Sequence, residues 1–302
     1  MEYNLIVILG STASGKTRLA VKLARELGSE IISADSRQVY RGMNIGTGKD
    51  LSEYVVDGIS VPFHLIDIVD FDHEFNVFEY QRRFFECFLE IYGRAILPIM
   101  VGGTGLYIES VLRGYRMLEV PENVSLRKEI ETEDMEALAG RLLQLNPSVH
   151  NTTDLKDRKR LIRAIEIAEY SRNLDSEEIS IPPIEPLVIG VRWEREILRR
   201  RITERLRKRL EEGMIEEVEG LLSSGISWQK LDFFGLEYRY IGLYLQRRLS
   251  YDEMFQKLNT RIHQFAKKQG TWFRRMEKQG IEIHWIDNAD FNALRDLVGN
   301  LI

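Results

Sequence analysis

Leu5-Ile6-Val7-Ile8-Leu9-Gly10-Ser11-Thr12-Ala13-Ser14-Gly15-Lys16-Thr17 joins an all-apolar run to a glycine-bounded turn that ends in lysine and threonine. Five consecutive apolar residues match a strand buried on both faces of a parallel sheet. The eight that follow, Gly10, Ser11, Thr12, Ala13, Ser14, Gly15, Lys16 and Thr17, fit G-x-x-x-x-G-K-[ST] between that strand and a helix. Glycines let the backbone curl so that successive N–H groups point at an anion. Lys16 adds positive charge, Thr17 can ligate Mg²⁺, and the helix dipole adds partial charge at the same place. The motif does not say whether it holds a nucleoside triphosphate, a monophosphate donor or a pyrophosphate ester.

Working outward, Leu19, Ala20, Leu23, Ala24 and Leu27 have helical spacing over Thr17 to Leu27, with Gly28 as C-cap. Further strands are predicted at 30–34, 64–69 and 95–101, with an amphipathic helix over 75–92. Strands alternating with helices imply βαβ units, and hence a P-loop α/β core around a parallel sheet. From Pro121 to Pro186 the sequence turns charged and helical (124–133, 134–145, 155–170) and ends in Pro182-Pro183 and Pro186. Leu187 to Val191 returns to the buried-strand pattern. The organisation predicted is a discontinuous core, 1–120 and 187–302, with an all-helical insertion at 121–186. Long helices at 195–223 and 251–276 and a last strand at 281–285 complete it.

Composition narrows the class. The 302 residues carry 42 Lys+Arg and 47 Asp+Glu, a net charge of −5. Three segments depart from that mean: Lys156 to Arg163 sums to +4, Arg192 to Arg209 to +6 and Arg261 to Lys278 to +5, leaving −20 elsewhere. Phosphates within about one Debye length of ~8–10 Å respond to such a stripe more than to the total, although a solvated, salt-bridge-laced helix face reads the same way. Cys87 is the one cysteine, so no disulfide framework or paired-cysteine zinc site is available. No apolar run approaches the roughly 18 residues of a membrane span, and the first residues lack a signal-peptide pattern. A cytoplasmic monomer is expected, with no membrane partner.

Asp35 closes the second predicted strand, so it faces the same crevice as the phosphate loop. It is a candidate general base or, alternatively, a cap for the loop after it. Gly102-Gly103-Thr104-Gly105-Leu106-Tyr107 holds the equivalent place on another strand and offers the Thr104 hydroxyl, although a tight turn alone would explain its glycines. Asp67 resembles a Walker-B acid only loosely.

Together these blocks resemble the tRNA dimethylallyltransferases, also called isopentenylpyrophosphate transferases, of bacterial type. The likeness runs through Gly10 to Thr17, Asp35-Ser36, Val39 to Thr47, Leu65 to Asp67, Val101 to Tyr107, Arg160 to Ala164, Arg201-Ile202-x-x-Arg205 and Ala266 to Arg274. The resemblance implies transfer of a dimethylallyl group from dimethylallyl diphosphate to N6 of the adenosine just 3′ of a tRNA anticodon. The phosphate loop would then hold the leaving diphosphate, with Mg²⁺ at Thr17 and Arg201 as a further clamp. Asp35 would be the base and Thr104 would sit beside base and donor. The RNA path would be lined by Asp35, Ser36, Arg37, Gln38, Arg127, Lys159, Arg160, Leu161, Ile162 and Arg163. Ser11 replaces the family's usual proline, and Phe233 to Arg239 departs from its shorter Gly-Tyr-Arg/Lys segment. The alternatives are an adenylate isopentenyltransferase acting on free nucleotide, a P-loop small-molecule kinase and a non-catalytic RNA-binding ATPase.

Overall fold

A computed structural model describes residues 2–146, 157–172 and 181–301. In chain order the elements are β1 (Leu5–Gly10), α1 (Lys16–Leu27), β2 (Ile31–Ala34), a 3₁₀ turn (Leu51–Tyr54), β3 (Val55–Val56), β4 (Ile59–Ser60), β5 (Phe63–His64), α2 (Val77–Gly93), β6 (Ile99–Gly102), α3 (Gly105–Leu112), α4 (Val124–Glu129), α5 (Met135–Leu145) and α6 (Arg158–Arg172). There follow β7 (Pro186–Arg192), α7 (Arg195–Glu211), α8 (Met214–Ser223), α9 (Trp228–Phe234), α10 (Leu236–Leu245), α11 (Tyr251–Lys278), β8 (His284–Asp287) and α12 (Phe291–Leu301). Two compact units result, one of Met1–Gly114 with Pro182–Ile302, the other of Tyr115–Ile181.

The first unit is built on a six-stranded sheet in the order β5-β2-β6-β1-β7-β8, with every pairing parallel. β1 lies between β6 and β7 and is buried along its whole length, which is why Leu5 to Leu9 is apolar on both faces. Leu19, Ala20, Leu23 and Ala24 of α1 pack into the same core as Ile6 and Ile8. Each buried leucine or isoleucine side chain there contributes roughly 1.5–3 kcal/mol. Parallel strands bring the ends of β1, β2, β6 and β7 to one edge. Gly102 is in register with Ala34 at that edge, and a Cβ on Gly102 would overlap the Ala34 carbonyl.

Apolar runs overstate several strands. Of 64–69 only His64 is in a strand, because Leu65 and Asp67 take left-handed φ values of 62° and 54°. The run is buried as a loop against 38–40, with Asp67 N donating to Gln38 O and Ile68 N to Val39 O. Ala95 (φ 58°) belongs to the end of α2, its N–H donating to Tyr92 O, so β6 starts only at Ile99. Gly213 (φ 99°) divides 195–223 into two helices. The last strand begins at His284, since Ile281 N still donates to Met276 O of α11.

The second unit packs α4, α5 and α6 around Leu126, Ile130, Leu138, Leu142, Leu161 and Ile165. Asp134 caps α5 by accepting from Glu136 N and Ala137 N. Lys156 of the first basic stripe lies outside the described residues.

Candidate active site

The phosphate loop is a braced backbone curl. Ala13 (φ 61°) and Gly15 (φ 84°) are left-handed, and Gly15 precedes α1 with no side-chain cap on the first helical N–H groups. Uncapped N–H groups at a helix start are an anion seat. Around the outside, Trp193 Nε1 donates to Ser14 O (2.8 Å) and Arg201 Nε to Ala13 O (2.9 Å), with the Arg201 guanidinium 4.3 Å over the Trp193 ring. Gln269 of α11 ties two strand ends together. Its Oε1 accepts from Thr12 N (2.8 Å) and its Nε2 donates to Gly103 O (2.9 Å). Ser11 Oγ donates to Ala266 O (3.3 Å), and Thr17 follows Lys16 in the first turn of α1. Lys16 Nζ reaches Ser11 O at 3.4 Å. Burial lowers its pKa from 10.5 to about 8, with Arg205 pushing the same way and Asp35 opposing.

Asp35 directly follows β2, and its Oδ1 accepts from Arg37 N (2.8 Å) and Gln38 N (3.3 Å). The capping and base readings are therefore compatible, since both bonds fall on one oxygen. Thr104 links the two strand ends: its N–H donates to Ala34 O (3.2 Å) and its Oγ1 accepts from Ser36 N (3.1 Å). Of the 35–38 loop, Gln38 is committed internally, with Nε2 donating to Gly48 O (3.0 Å), and Arg37 lies 5.0 Å over the Phe233 ring.

Spacing gave no warning of how the 40–50 loop is held. Buried Lys49 pairs with Asp67 and donates to Tyr40 O (2.5 Å), so Asp67 serves as the anchor of that loop. The Glu217 carboxylate accepts from Asn44 N (2.9 Å), Ile45 N (2.6 Å) and Gly46 N (3.0 Å), and from Tyr238 OH (2.8 Å). A cavity of about 1450 Å³ opens beside the loop between α7 and α11, lined by Ser11, Ser14, Trp193, Ile202, His263 and Phe273 among others.

Within the helical unit the candidate RNA-lining residues divide. Arg127 forks onto Glu166 (Nε 2.7 Å, Nη2 3.1 Å), and Arg163 donates to Glu166 (3.0 Å) and to Val120 O (2.5 Å). The Glu166 side chain is fully buried. Burial pushes its pKa up, but hydrogen bonds from Arg127 and Arg163 outweigh that and hold it below the usual carboxylate range. Lys159 and Arg160 are exposed and Ile162 is half-buried. Leu161 is a correction: at 0% exposure it belongs to the apolar core and has no surface to offer RNA.

The IPP transferase family model matches residues 38–276, and an isopentenyl transferase model matches 3–58. The chain is 63% identical to tRNA dimethylallyltransferase 1 of Syntrophus aciditrophicus (strain SB), covering 100% of this chain and 99% of that one. The chain belongs to the tRNA dimethylallyltransferase family. It is also 59% identical to tRNA dimethylallyltransferase 1 of Geotalea uraniireducens (strain Rf4), over 98% of this chain and 96% of the relative. Among solved structures, the full-length tRNA isopentenylpyrophosphate transferase of Bacillus halodurans superposes with a TM-score of 0.71 at 32% identity, over 99% of this chain and 95% of that one. As a tRNA dimethylallyltransferase the chain is a prenyl-transfer enzyme on a P-loop-like fold, and tRNA is its substrate class. In this family setting the loop, Asp35 and Thr104 share one crevice edge, and Gln269 is the tie that sequence reading passed over although it lies in a quoted block.

Proposed function

We propose that the chain transfers the dimethylallyl group of dimethylallyl diphosphate to N6 of the adenosine 3′ of the anticodon, releasing pyrophosphate. One observation carries the residue assignment: Asp35 and Thr104 sit at the ends of neighbouring parallel strands, on the same sheet edge as the anion-seat loop. The exocyclic amine nitrogen attacks the allylic carbon, the carbon–oxygen bond to the diphosphate breaks, and Asp35 takes the amine proton. Asp35 Oδ1 is engaged by Arg37 N and Gln38 N, so Oδ2 is the oxygen for that proton. Lys16, the loop amides and Arg201 stabilise charge on the departing diphosphate. Thr104 positions base and donor between strand ends. The adenosine must leave its stack to reach a partly buried carboxylate.

Prenyl diphosphate transfer generally uses a divalent metal, and Mg²⁺ suits this loop. No cluster of three or more His, Cys, Asp or Glu occurs among the described residues, so the ion would be held by the Thr17 hydroxyl and the donor's own oxygens. It would neutralise leaving-group charge.

The helical unit, 121–186 in the sequence reading, supplies the grip on the anticodon arm, with Lys159 and Arg160 among its exposed cations and Arg127 and Arg163 partly exposed. No helix among the described residues is long and apolar enough to cross a membrane, in keeping with a cytoplasmic enzyme. A single chain suffices as the working unit, since the diphosphate seat and the base belong to it. The free-nucleotide and kinase readings lack support, because the relatives matched over nearly their full length are named for tRNA. The test is incubation with dimethylallyl diphosphate, Mg²⁺ and unmodified tRNA, followed by nucleoside mass spectrometry. N6-dimethylallyladenosine is expected; its absence alongside phosphorylation of a small molecule by ATP would turn the assignment to a kinase.

A further inference from the structure

Arg209, on the last turn of α7, is a buried cation that the mechanism above does not use. Its residue exposure is 8%, and its Nε and Nη2 are buried with no hydrogen-bond partner among the described residues. An arginine fork in that state is unusual, because desolvating a guanidinium without an acceptor is strongly unfavourable. The neighbouring groups do not resolve it. Arg205, one helical turn earlier, is paired with Asp50 at 2.9 Å. Glu237, at the start of α10, faces Arg209 electrostatically without a hydrogen bond to its Nε or Nη2, and burial pushes the Glu237 carboxyl pKa up. Burial also lowers Arg209, to about 10, with Arg205 adding to the effect, so it is still a cation at neutral pH.

The direction of the fork is set by Gly48. Gly48 is left-handed (φ 68°), and a Cβ there would overlap Arg209 Nη2 and stand 2.6 Å from Arg205 Nη2. Both guanidinium groups therefore lie against bare backbone at the crevice edge, beside Gln38, whose side chain holds the Gly48 carbonyl. They are also near Lys16, whose charge is disfavoured by Arg205 and Arg209 and favoured by Asp35. Lys16, Arg205 and Arg209 are close enough to act on one another's charge, with Asp35 and Glu53 as the acids that offset them at Lys16.

We infer that Arg209 is a further diphosphate-binding residue, whose empty fork takes oxygens of the donor's diphosphate on the side opposite the loop amides. This rests on the prenyl-transfer reading for the identity of the donor but not for the presence of an oxyanion. A small diphosphate is favoured over an RNA backbone phosphate because the fork is buried and sits among the charges that surround Lys16. Glu237 lies in the segment where the sequence departs from its family, so a carboxylate facing Arg209 without bonding to it would be this chain's own feature.

The test uses the full chain without turnover. Pyrophosphate and dimethylallyl diphosphate, each with Mg²⁺, are titrated calorimetrically into wild type, Arg209→Met and Arg209→Lys, and melting is recorded with and without pyrophosphate. The expected result is that Arg209→Met melts higher than wild type when ligand-free, because an unpaired buried charge has gone. Its affinity for pyrophosphate is expected to fall about tenfold or more, the loss of a charge-assisted fork, while tRNA affinity stays within about twofold. Arg209→Lys keeps the charge but not the fork and is expected to fall between the two. A lower-melting or aggregating Arg209→Met with unchanged pyrophosphate affinity in Arg209→Lys would make Arg209 a structural partner of Glu237 and overturn the inference. Retained pyrophosphate affinity with lost tRNA affinity would overturn it in favour of an RNA phosphate. Because binding is read without catalysis, an Arg209-dependent pyrophosphate site in a protein that fails to prenylate tRNA would defeat the function and leave this inference standing.

Discussion

The cations of the phosphate-loop crevice and those of the helical unit look alike in sequence, yet their partners differ. In the crevice, half-buried Lys16 lies near other cations, and Arg209 Nε and Nη2 have no hydrogen-bond partner among the described residues. In the helical unit, Arg127 and Arg163 share the buried Glu166, Arg141 bridges Glu129 and Glu169, and Arg158 donates to the carbonyls of Ile130, Glu131 and Glu133. One set has donors to spare for an incoming anion; most of the other holds three short helices together. A basic stripe is thus informative about ligands only after its internal acceptors are subtracted.

That contrast can be broken at several points. The largest effect is expected from Asp35→Asn, which should lower turnover by about 10²–10⁴-fold, the usual contribution of a positioned base, with tRNA affinity nearly unchanged. Near-normal single-turnover rates in that variant would remove the base assignment. Next comes Glu166→Ala, which strands two arginines; a loss of about 3 kcal/mol is expected, at the low end for a broken buried pair because both arginines are over a third exposed. Hydrogen exchange localised to α4 and α6 reports it, and unchanged protection there would show that the cluster does not hold the unit together.

The pH dependence of donor binding sharpens the other half. Lys16 is lowered from 10.5 to about 8, so the folded chain carries a penalty for the charged lysine below about pH 8, and that penalty disappears as pH rises towards 10.5. A bound diphosphate favours the charged form. Affinity for dimethylallyl diphosphate, measured without tRNA, should therefore be level up to about pH 8 and then fall by up to about tenfold per unit. Lys16→Arg should flatten the curve; a wild-type curve flat to pH 10 would contradict the assignment. The smallest effect is expected from Lys159→Ala with Arg160→Ala, both exposed: no change in melting and a salt slope of tRNA binding reduced by about one per residue. An unaltered slope would return them to a solvated helix face.

Local patterns carried the fold a long way. The strand Leu5 to Leu9, the loop motif and the helix closed by Gly28 are all readable because strand burial, glycine placement and helical period act over a few residues. The same apolarity misled at 64–69 and 95–98, where burial comes from loop packing and helix capping instead of strand pairing. What the sequence could not reveal was pairing at a distance. Gln269 meets Thr12 across 257 positions, Arg127 meets Glu166 across 39, and Lys49 meets Asp67 across 18. None of these follows from a period or a motif, and they decide which charged groups are available for chemistry.

The proposed chemistry requires the crevice to bring a tRNA adenosine, and not a free nucleotide, to the diphosphate seat. The most direct measurement offers the enzyme a limiting amount of dimethylallyl diphosphate with equal concentrations of an anticodon stem-loop and adenosine 5′-monophosphate, and separates the products. Prenyl transfer is expected almost wholly at the stem-loop adenosine; preferential prenylation of the free nucleotide would overturn the tRNA assignment.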